Sequence, residues 1–408
     1  MIELVVTVNA PGEVAGWLLP LLDQVKTRDR RASIRAVLTP CAFAGGRERE
    51  ILSSHPALDD VVTFGPYVRA LVRDRLTGRH RRDHRTIVLH LGGDRLYSLL
   101  LARLLGAPAW VYGTSRHWIR RYDRCLVPDA RITRKLLAAG VPADRIAEVG
   151  ELVVDSVPEA TDDGVVRRLG LDPDRDEIVA LLAGSRRSEV AFMVPFYAGL
   201  IDVLAARRPS VRCLLPFSEF VGRDVLDQAT ARAGLVAEPV DGGLRVRTRN
   251  GATAHLVRDG RYAAMRASRM VVTLPGTNTL QLAAMGVPML VAIPLNEIER
   301  LVVEGPVNWL STRWRPTRTL KRFLMLRLSA RLGPIALPNI LSGRDLVPEL
   351  RAMLTPADMA THVERWLDDA EGRRVMSRDL RAIAGSRGAA ARLAAELLTE
   401  GPPCACGS

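Results

Sequence analysis

Short runs of apolar residues, rich in valine, isoleucine and leucine, alternate along the chain with longer stretches whose apolar positions recur every three or four residues. The first run, residues 4–9, predicts a buried strand, and a glycine-bearing turn leads from it into a predicted helix at about residues 16–25. The same order returns at residues 86–91 and 96–105. Strands that alternate with helices in this way are typical of a parallel sheet.

The other predicted elements repeat this alternation on both sides of a stretch rich in Asp, Pro and Gly, residues 158–177, which predicts a linker. Further strands are predicted at residues 32–38, 109–112, 124–128, 178–182, 211–216, 244–248, 270–274 and 288–293, and further helices at about 189–207, 350–366 and 375–398. We therefore expect an α/β protein with two Rossmann-like parallel-sheet domains, residues 1–157 and 158–374, facing each other across a cleft. The helix at about 375–399 is expected to pack back on the first domain. Ligands of such sheets bind at the carboxyl ends of the strands.

Composition excludes a disordered chain, because 48% of the 408 residues are hydrophobic and 25% are charged. The formal net charge is +13, and nearly all the cations are arginines, since only Lys26, Lys135 and Lys321 are lysines. Arginine binds phosphate in a bidentate way, although richness of this kind also follows from GC-rich coding. The positive excess indicates an anionic partner: a phosphate ligand, nucleic acid or an anionic membrane surface.

The five cysteines are an odd, scattered set that fits neither a disulfide framework nor a zinc pattern, so we expect reduced thiols and no metal site. The first residues lack a basic region, contain Glu3 and have too short an apolar run for a signal peptide, which predicts a cytoplasmic protein. Residues 270–296 are uncharged for a length that could span a membrane. Their prolines and glycines predict strand, loop and helix pieces of a core instead.

The turn after the first strand contains Gly12, Glu13 and Gly16. Glycines at a strand-to-helix turn let a ligand approach the backbone, and the helix N-terminus favours anions. The spacing differs from G-x-G-x-x-G, so it supports NAD binding only weakly. The alternative is a tight turn that needs glycine for its conformation alone.

Two turns of the second half resemble phosphate cradles, since each places glycine and a hydroxyl between a strand and a helix. Their residues are Gly184, Ser185 and Arg186 in one, and Gly276 and Thr277 in the other. Two such turns in one domain indicate a nucleotide more strongly than either alone. Each is also compatible with an ordinary capped turn, and Ser188 is expected to cap the helix after the first.

Asp94 follows the predicted strand at residues 86–91 and comes directly after two glycines. A carboxylate at the carboxyl end of a strand is well placed to act as a general base. The alternative is an ordinary helix-capping Asp. His117 is a second candidate for the base, whereas His90 is expected to lie in the core.

Residues 309–331 contain seven cations and no acid, with Trp, Phe, Leu and Met between them. This pattern is typical of an interfacial segment on an anionic membrane. A nucleic-acid surface would carry spaced stacking aromatics rather than Leu and Met. A helix packed on its own domain with a solvated basic face is the alternative.

Together these motifs resemble the lipid A disaccharide synthase family, whose members are glycosyltransferases of the GT-B class. Residues 181–189 (LLAGSRRSE) are similar to the family's LLPGSRxxE, residues 265–288 to its strand–SGTxxLE–helix–P segment, and residues 337–350 (LPNILSGRDLVPEL) to its LPNLLAGRxxVxEL. Residues 150–156 (GELVVDS) and 12–16 (GEVAG) resemble its GHxxxD and GExSGD segments. The resemblance covers most of the chain in the same order.

The resemblance implies an N-terminal domain for the acceptor and a C-terminal domain for the UDP-sugar donor. Members transfer 2,3-diacylglucosamine from UDP to 2,3-diacylglucosamine 1-phosphate with inversion, without metal or other cofactor, at the inner face of the membrane. The implied partners are thus a UDP-sugar, a lipid acceptor and an anionic membrane, with no nucleic acid. The implied catalytic residues are Asp94 and Glu13, and the implied substrate-binding residues are Gly12, Gly16, Gly184, Ser185, Arg186, Gly276, Thr277, Gln281, Asn339 and Arg344.

The chain departs from the family pattern mainly in the acceptor region. Trp17 replaces the acid that ends GExSGD, and Glu151 replaces the His of GHxxxD. The family's D-A-P-D-F motif is reduced to residues 92–96 (GGDRL), so Asp94 matches it only approximately. On the donor side Gln281 replaces the Glu expected at the ribose. A UDP-sugar is therefore better supported than the lipid A acceptor. A GT-B transferase or epimerase for another substrate, and a non-catalytic membrane- or nucleic-acid-binding relative, stay open.

Overall fold

A computed structural model describes residues 2–40, 46–76, 85–162, 164–241, 243–296 and 333–399, together with Thr319, Lys321 and Arg327. The chain forms two compact units. Unit 1 comprises residues 1–156 and 385–408, and unit 2 comprises residues 157–384.

Unit 1 is built on a seven-stranded sheet in which every paired strand is parallel, in the order β3-β2-β1-β4-β5-β6-β7. Its elements are β1 (Ile2–Val8), α1 (Pro11–Glu13), a π-helical turn (Val14–Leu18), α2 (Leu19–Arg28), β2 (Ser33–Leu38), α3 (Glu48–Ser53), β3 (Asp60–Thr63), α4 (Phe64–Leu76), β4 (Arg85–His90), α5 (Arg95–Leu105), β5 (Ala109–Tyr112), β6 (Arg124–Val127), α6 (Ala130–Ala138), β7 (Ile146–Glu148) and α7 (Leu152–Asp155). The central strands are almost wholly apolar because a parallel sheet is covered on both faces.

Unit 2 contains an eight-stranded sheet in the order β10-β11-β12-β9-β8-β13-β14-β15, parallel except where β11 pairs antiparallel with both its neighbours. Its elements are α8 (Gly164–Arg168), β8 (Glu177–Leu182), α9 (Arg187–Arg207), β9 (Val211–Pro216), α10 (Arg223–Ala233), β10 (Val236–Val240), β11 (Gly243–Arg247), β12 (Thr253–Val257), α11 (Arg261–Arg266), β13 (Met270–Thr273), α12 (Thr277–Met285), β14 (Met289–Pro294), α13 (Leu337–Ser342), β15 (Glu349–Ala352), α14 (Pro356–Asp368) and α15 (Ala370–Ala384). The last helix, α16 (Ala389–Leu398), belongs to unit 1.

The C-terminal elements differ from the sequence prediction in two places. The predicted helix at 350–366 begins as strand β15, and the helix α14 starts only at Pro356, where the Thr355 hydroxyl accepts a hydrogen bond from the Asp358 amide. The predicted helix at 375–398 is two helices. It breaks where Gly385 and Gly388 adopt positive φ angles that disfavour a continuing helix. The predicted linker at 158–177 also contains helix α8.

Helix α9 is long and apolar enough to cross a membrane by length and composition. Its apolar residues belong instead to the main hydrophobic core of unit 2, where Val190, Met193, Tyr197 and Ile201 are buried beside strands β8 and β9. The helix is therefore a core helix of this sheet.

Helix α16 packs on α2 and α7 of unit 1. Asp155 fixes its start, because the two carboxylate oxygens accept hydrogen bonds from the Gly388 and Ala390 amides at 2.7 Å. Arg392 donates to the Val149 carbonyl, and Arg124 pairs with Glu396 at 2.7 Å. Helix α16 is thus a part of unit 1, where it packs on α2 and α7.

Candidate functional site

In unit 1 the turns after β1, β2 and β4 meet at one edge of the sheet. Strand β1 lies between β2 and β4, so the strand order reverses direction beside β1. A crevice forms at such a switch point, outside the carboxyl ends of the strands, and ligands of open α/β sheets bind there. Glu13 and Asp94, the two predicted catalytic residues, follow β1 and β4 and therefore lie at this edge.

Glu13 is held by backbone amides and by a close approach to the β4 turn. Its Oε2 atom accepts hydrogen bonds from the amides of Asn9 at 3.1 Å and Ala10 at 3.2 Å. A Cβ atom on Gly92 would lie only 1.8 Å from the same oxygen. Only glycine at position 92 therefore allows this carboxylate to pack against the turn.

Asp94 is exposed and caps helix α5, since its Oδ1 atom accepts a hydrogen bond from the Leu96 amide at 2.8 Å. This is the capping role that the sequence left open for it, and the exposed carboxylate also faces solvent at the strand edge. Nearby His90 is buried, and its Nδ1 atom lies 3.2 Å from the Thr7 hydroxyl. Burial, with the positive charge of Arg95 as a smaller cause, lowers the pKa of His90 to about 3. His90 is thus a neutral core residue, as the sequence predicted.

The remaining candidates of unit 1 differ in their surroundings. Gly16 is buried in the π-helical turn, and a Cβ atom there would lie 3.2 Å from a methyl group of Val153. Gly12 lies within α1 and is partly buried. His117 is exposed, and its carbonyl accepts a hydrogen bond from Arg95 at 2.5 Å.

Two of the departures from the family pattern, Trp17 and Glu151, meet at Tyr112. The Trp17 and Tyr112 rings pack edge to face with centroids 5.6 Å apart. The Tyr112 hydroxyl lies 3.2 Å from Glu151 Oε1, which also accepts from the Val153 amide. Burial raises the pKa of Glu151, although these hydrogen bonds oppose the shift. Trp17 and Glu151 therefore belong to one local cluster around Tyr112.

In unit 2 the two predicted cradles leave neighbouring strands. Strand β8 pairs with β13, with Leu182 opposite Thr273, so the turn at Gly184 and the turn at Gly276 start side by side. Strand β8 also has β9 on its other side, which makes this the switch point of the second sheet. The structure thus brings together two groups of residues separated by about ninety positions in the sequence.

Glu189 occupies backbone donors that the sequence reading left for a phosphate. Its Oε2 atom accepts from the amides of Ser185 at 3.1 Å and Arg186 at 3.3 Å. Its Oε1 atom pairs with the Arg186 guanidinium at 3.0 Å. In this arrangement the Ser185 and Arg186 amides are bound to Glu189 rather than open to a phosphate. Helix α9 starts before Ser188, and Glu189 rather than Ser188 caps it.

The second cradle opens onto a polar network. Gly276 is the N-cap of α12, Thr277 is the first helical residue, and Gln281 lies one turn later. The Gln281 amide donates to the Tyr262 hydroxyl at 3.0 Å, although the side chain is largely buried. Arg261 also donates to the Tyr262 hydroxyl, at 3.0 Å, so the side chains of helices α11 and α12, which follow β12 and β13, are joined.

The network continues to the turn after β9, because Arg261 also donates to the Ser218 hydroxyl at 3.1 Å. Arg261 further stacks on the Tyr262 ring, with its guanidinium 4.7 Å from the centroid. The sequence analysis missed Arg261 and Tyr262, since nothing in the local pattern distinguishes them from other residues at the start of a short helix. Three strand ends of unit 2 thus contribute polar groups to one edge.

Asn339 is structural rather than exposed to a ligand. It has no exposed surface, its Oδ1 atom accepts from the Leu346 and Val347 amides, and its Nδ2 atom donates to the Val347 carbonyl and to Glu349. These contacts use both donors and both acceptor positions of the amide. The prediction that Asn339 contacts substrate is therefore wrong on physical grounds.

Glu349, which the sequence analysis passed over, explains the rest of this motif. Its carboxylate accepts from the amides of Ile335 and Ala336 ahead of α13 and is almost fully buried. Arg344 is exposed and lies 3.5 Å from Asp379. The motif at residues 337–350 is thus held together by Asn339 and Glu349.

Among the described residues, no three His, Cys, Asp or Glu side chains are grouped so that they could hold a metal ion. Cys125 and Cys213 are free and buried, and burial raises the pKa of their thiols to about 11 and about 12. The predicted membrane segment, residues 309–331, lies outside the described residues apart from Thr319, Lys321 and Arg327.

Solved structures with a similar fold include proteins bound to UDP or to a UDP-sugar. The UDP-GlcNAc 2-epimerase of Neisseria meningitidis, bound to UDP-GlcNAc, has a TM-score of 0.55 with 12% identity and covers 98% of this chain and 100% of its own. The Anabaena protein Alr3699/HepE, in complex with UDP and glucose, has a TM-score of 0.53 with 15% identity and covers 98% and 100%. The fold predicted from the sequence, two parallel α/β units of the GT-B class, is therefore confirmed.

Sequence relatives narrow the class to a family. A model of the lipid-A-disaccharide synthetase family matches residues 146–308. The lipid-A-disaccharide synthase of Anaeromyxobacter dehalogenans strain 2CP-C is 28% identical over 407 residues, covering 94% of this chain and 96% of the relative. That of Paraburkholderia phymatum is 28% identical over 274 residues, covering 66% and 59%. The chain is thus similar over most of its length to lipid-A-disaccharide synthases, which supports a divergent member of that family and a glycosyltransferase.

Proposed function

We propose that the protein transfers an acylated glucosamine from a UDP-sugar to a lipid acceptor with inversion, as in lipid A disaccharide synthesis. The observation that carries this proposal is the side-by-side placement of the Gly184 and Gly276 turns at the switch point of the unit 2 sheet. A nucleotide diphosphate fits such a place, because it is long enough to touch both turns.

The donor site would be formed by side chains more than by the first turn's amides, because Glu189 already accepts from two of them. Arg186 would bind the diphosphate, with its charge shared between Glu189 and the ligand. Ser185, Gly276 and Thr277 would complete the contact, and Gln281 would hydrogen-bond the ribose. These groups would stabilise UDP as it leaves. We propose no cofactor beyond the donor itself.

The acceptor site and the base would belong to unit 1. The base removes the proton from an acceptor hydroxyl, the oxygen attacks the anomeric carbon, and the bond to UDP breaks with its electron pair leaving on UDP. Asp94 is the better candidate for the base, because it is exposed and only one of its oxygens is used to cap α5. Glu13 accepts two backbone hydrogen bonds and is better placed to hold the turn.

We also propose that residues 309–331 bring the protein to the inner face of the cell membrane as a peripheral protein. The support is the sequence pattern, seven cations without an acid among apolar side chains. Sedimentation with vesicles tests this proposal. Binding to anionic but not neutral vesicles is expected, and equal recovery in the supernatant with both would contradict it.

The second candidate function is epimerisation of a UDP-sugar, which the similarity in fold to UDP-GlcNAc 2-epimerases favours. An epimerase converts UDP-GlcNAc without any acceptor, whereas the proposed transferase leaves it unchanged. Incubation of the protein with UDP-GlcNAc alone, followed by NMR of the sugar, separates these two functions.

Donor and transfer assays test the main proposal. In a thermal-shift panel, UDP-acylglucosamine should raise Tm more than UDP-glucose does. UDP release should then depend on adding 2,3-diacylglucosamine 1-phosphate. A protein that is stabilised by no UDP-sugar and releases no UDP with this acceptor is instead a non-catalytic relative.

A further inference from the structure

Thr39 is the residue directly after strand β2, and its hydroxyl is buried. The residue is only 6% exposed, and within the described part of the chain its Oγ1 atom is buried without a hydrogen bond. Its backbone is fixed, because the Thr39 amide donates to the Val8 carbonyl at 3.1 Å. A buried hydroxyl is normally paired, so this one is available to a bound group.

The hydroxyl lies beside the β4 turn and the end of β1. A Cβ atom on Gly93 would lie 2.3 Å from Thr39 Oγ1 and 3.0 Å from Asn9 Nδ2. Gly93 also has a φ angle of +88°, which other residues rarely adopt. Glycine at position 93 therefore lets the side-chain amide of Asn9 and the hydroxyl of Thr39 approach the β4 turn. The preceding residue of that turn, Gly92, is the one that Glu13 contacts.

We propose that Asn9, Thr39 and the Gly92–Gly93 turn form a seat for a hydroxyl group of the acceptor sugar. The inference rests on the proposed transferase function, because it places the acceptor in unit 1. The side-chain amide of Asn9 donates to the sugar oxygen through Nδ2, and the Thr39 hydroxyl donates or accepts. None of these contacts belongs to the residues that the resemblance to the family implied.

The charges around the seat select a neutral polar group. Glu13 packs against Gly92, and Asp94 follows Gly93, so two carboxylates border the seat and disfavour a phosphate. The neighbouring cation, Arg95, donates to the carbonyls of Ser115 and His117. An acyl chain would leave the Thr39 hydroxyl buried without a partner. A sugar hydroxyl satisfies these conditions because it both donates and accepts.

Thr39→Val tests the seat, because it removes the hydroxyl and keeps the side-chain volume. Thr7→Val is the matched control: Thr7 is also buried near the end of a neighbouring strand, but its hydroxyl is bonded to His90. We expect Thr39→Val to leave Tm unchanged or higher, and Thr7→Val to lower it by roughly 2–4 °C, because only the control breaks a hydrogen bond. Thr39→Ser keeps the hydroxyl and should behave like the unmodified protein.

Binding of short-chain 2,3-diacylglucosamine 1-phosphate is measured by calorimetry in the presence of UDP. Thr39→Val and Asn9→Ala should each weaken this binding about tenfold, while Thr39→Ser and Thr7→Val change it less than threefold and UDP binding stays constant. The inference is overturned if Thr39→Val binds the probe as tightly as the unmodified protein, if Thr7→Val weakens binding equally, or if the unmodified protein does not bind the probe.

Transfer activity is measured separately, so that the two proposals fail in different ways. A protein that binds the probe through Thr39 but transfers no sugar contradicts the proposed function and keeps the seat. A protein that transfers sugar with no change on Thr39→Val contradicts the seat and keeps the function.

Discussion

The first strand of each unit is followed by a turn with the same capping device. Glu13 in unit 1 and Glu189 in unit 2 each occupy the third position of the helix that follows, and each accepts hydrogen bonds from the amides three and four residues earlier. Each carboxylate also packs against a glycine that has no room for a side chain, Gly92 in one unit and Gly184 in the other. Two βα turns of different sequence thus have the same internal hydrogen bonds.

The difference between the two turns lies in charge. Glu189 is paired with Arg186, whereas Glu13 lies beside the turn that carries a second acid, Asp94. This difference supports the proposal that the unit 2 turn accepts an anionic diphosphate and that the unit 1 turn binds neutral hydroxyl groups and holds the base. A carboxylate cap is compatible with either role, and the neighbouring side chain decides between them.

The largest effect is expected from Asp94→Asn, which asks whether the acidic turn of unit 1 holds the base. Asparagine still caps α5, so stability should change little, while kcat should fall about 10²–10⁴-fold because a general base is lost. Asp129→Asn is the control, since Asp129 also caps a helix, α6, by accepting from the Ile132 amide. Full activity in Asp94→Asn, measured as UDP release with UDP still bound, would assign the base elsewhere.

Glycine substitutions test whether the turns capped by Glu13 and Glu189 tolerate an added side chain equally well. Gly184→Ala should destabilise the protein by about 1–3 kcal/mol, because Gly184 has a φ angle of +89° and its added Cβ would lie 2.8 Å from Glu189 Cβ. Gly92→Ala should cost less, since only the end of the Glu13 side chain must move.

Gly65→Ala serves as the reference for this pair. Gly65 is an exposed residue of α4 with nothing within 4 Å of an added Cβ, so alanine should be neutral or slightly stabilising there. Urea unfolding of the three variants gives the ranking. A cost for Gly92→Ala equal to that of Gly184→Ala would mean that the two caps are equally constrained.

Arg186→Ala tests whether the positive charge of Arg186 helps unit 2 to bind the UDP-sugar donor. The variant should bind UDP about tenfold more weakly, since a hydrogen bond to a charged group is worth about 1.5–3 kcal/mol and part of it is already spent on Glu189. Arg187→Ala, next along the chain and paired with Asp224, is the control and should leave UDP binding unchanged. UDP binding is measured by calorimetry. If both variants bound UDP equally weakly, the arginines would act only by non-specific attraction, and Arg186 would have no particular role.

The smallest effect expected is a difference in acid sensitivity between the units. The folded-state pKa of His90 is about 3 because the residue is buried, so its contribution to stability is full above pH 6.5 and is lost as the pH falls toward 3, by at most about 1.4 kcal/mol per pH unit. In unit 2, pairing with Arg208 lowers the pKa of Glu177 to about 2, so that contribution is full above pH 4.5 and is lost below it.

Unit 1 should therefore lose hydrogen-exchange protection around His90 between pH 6.5 and 4.5, whereas protection around the Glu177 pair of unit 2 should be lost only below pH 4.5. His90→Gln should flatten this early loss, and Glu177→Gln should not. If both units lost protection together below pH 4.5, burial of His90 would contribute nothing to the difference.

Strands and their turns were predictable because buried parallel strands are mostly apolar runs that are bounded by turn residues. The runs at Ala109–Tyr112 and Val211–Pro216 were predicted with the bounds that the structure has. The switch points were not predictable in the same way, because the order of strands depends on contacts between distant segments. Hence the adjacency of Gly184 and Gly276 had to be seen in the fold.

Side chains with two possible roles were harder to assign. Asn339 belongs to a motif that matches the family, and the sequence could not show that its amide is wholly used inside the protein. Glu189 is at the third position of its helix, where a capping carboxylate is common, but Arg186 is not a usual N-cap residue, so the pattern did not predict the contact. Thr39 has no local signal at all, because its importance comes from an unpaired atom beside Gly93.

The return of α16 to unit 1 has a consequence for biosynthesis. This helix covers α2, whose Leu21, Leu22 and Val25 are fully buried, yet the ribosome makes it only after the whole of unit 2. At about 5–20 residues per second, the nascent first unit waits roughly 10–50 s with an apolar helix face uncovered. The second unit is complete in sequence before the first. Unit 1 is thus the first to be started by the ribosome and the last to be completed.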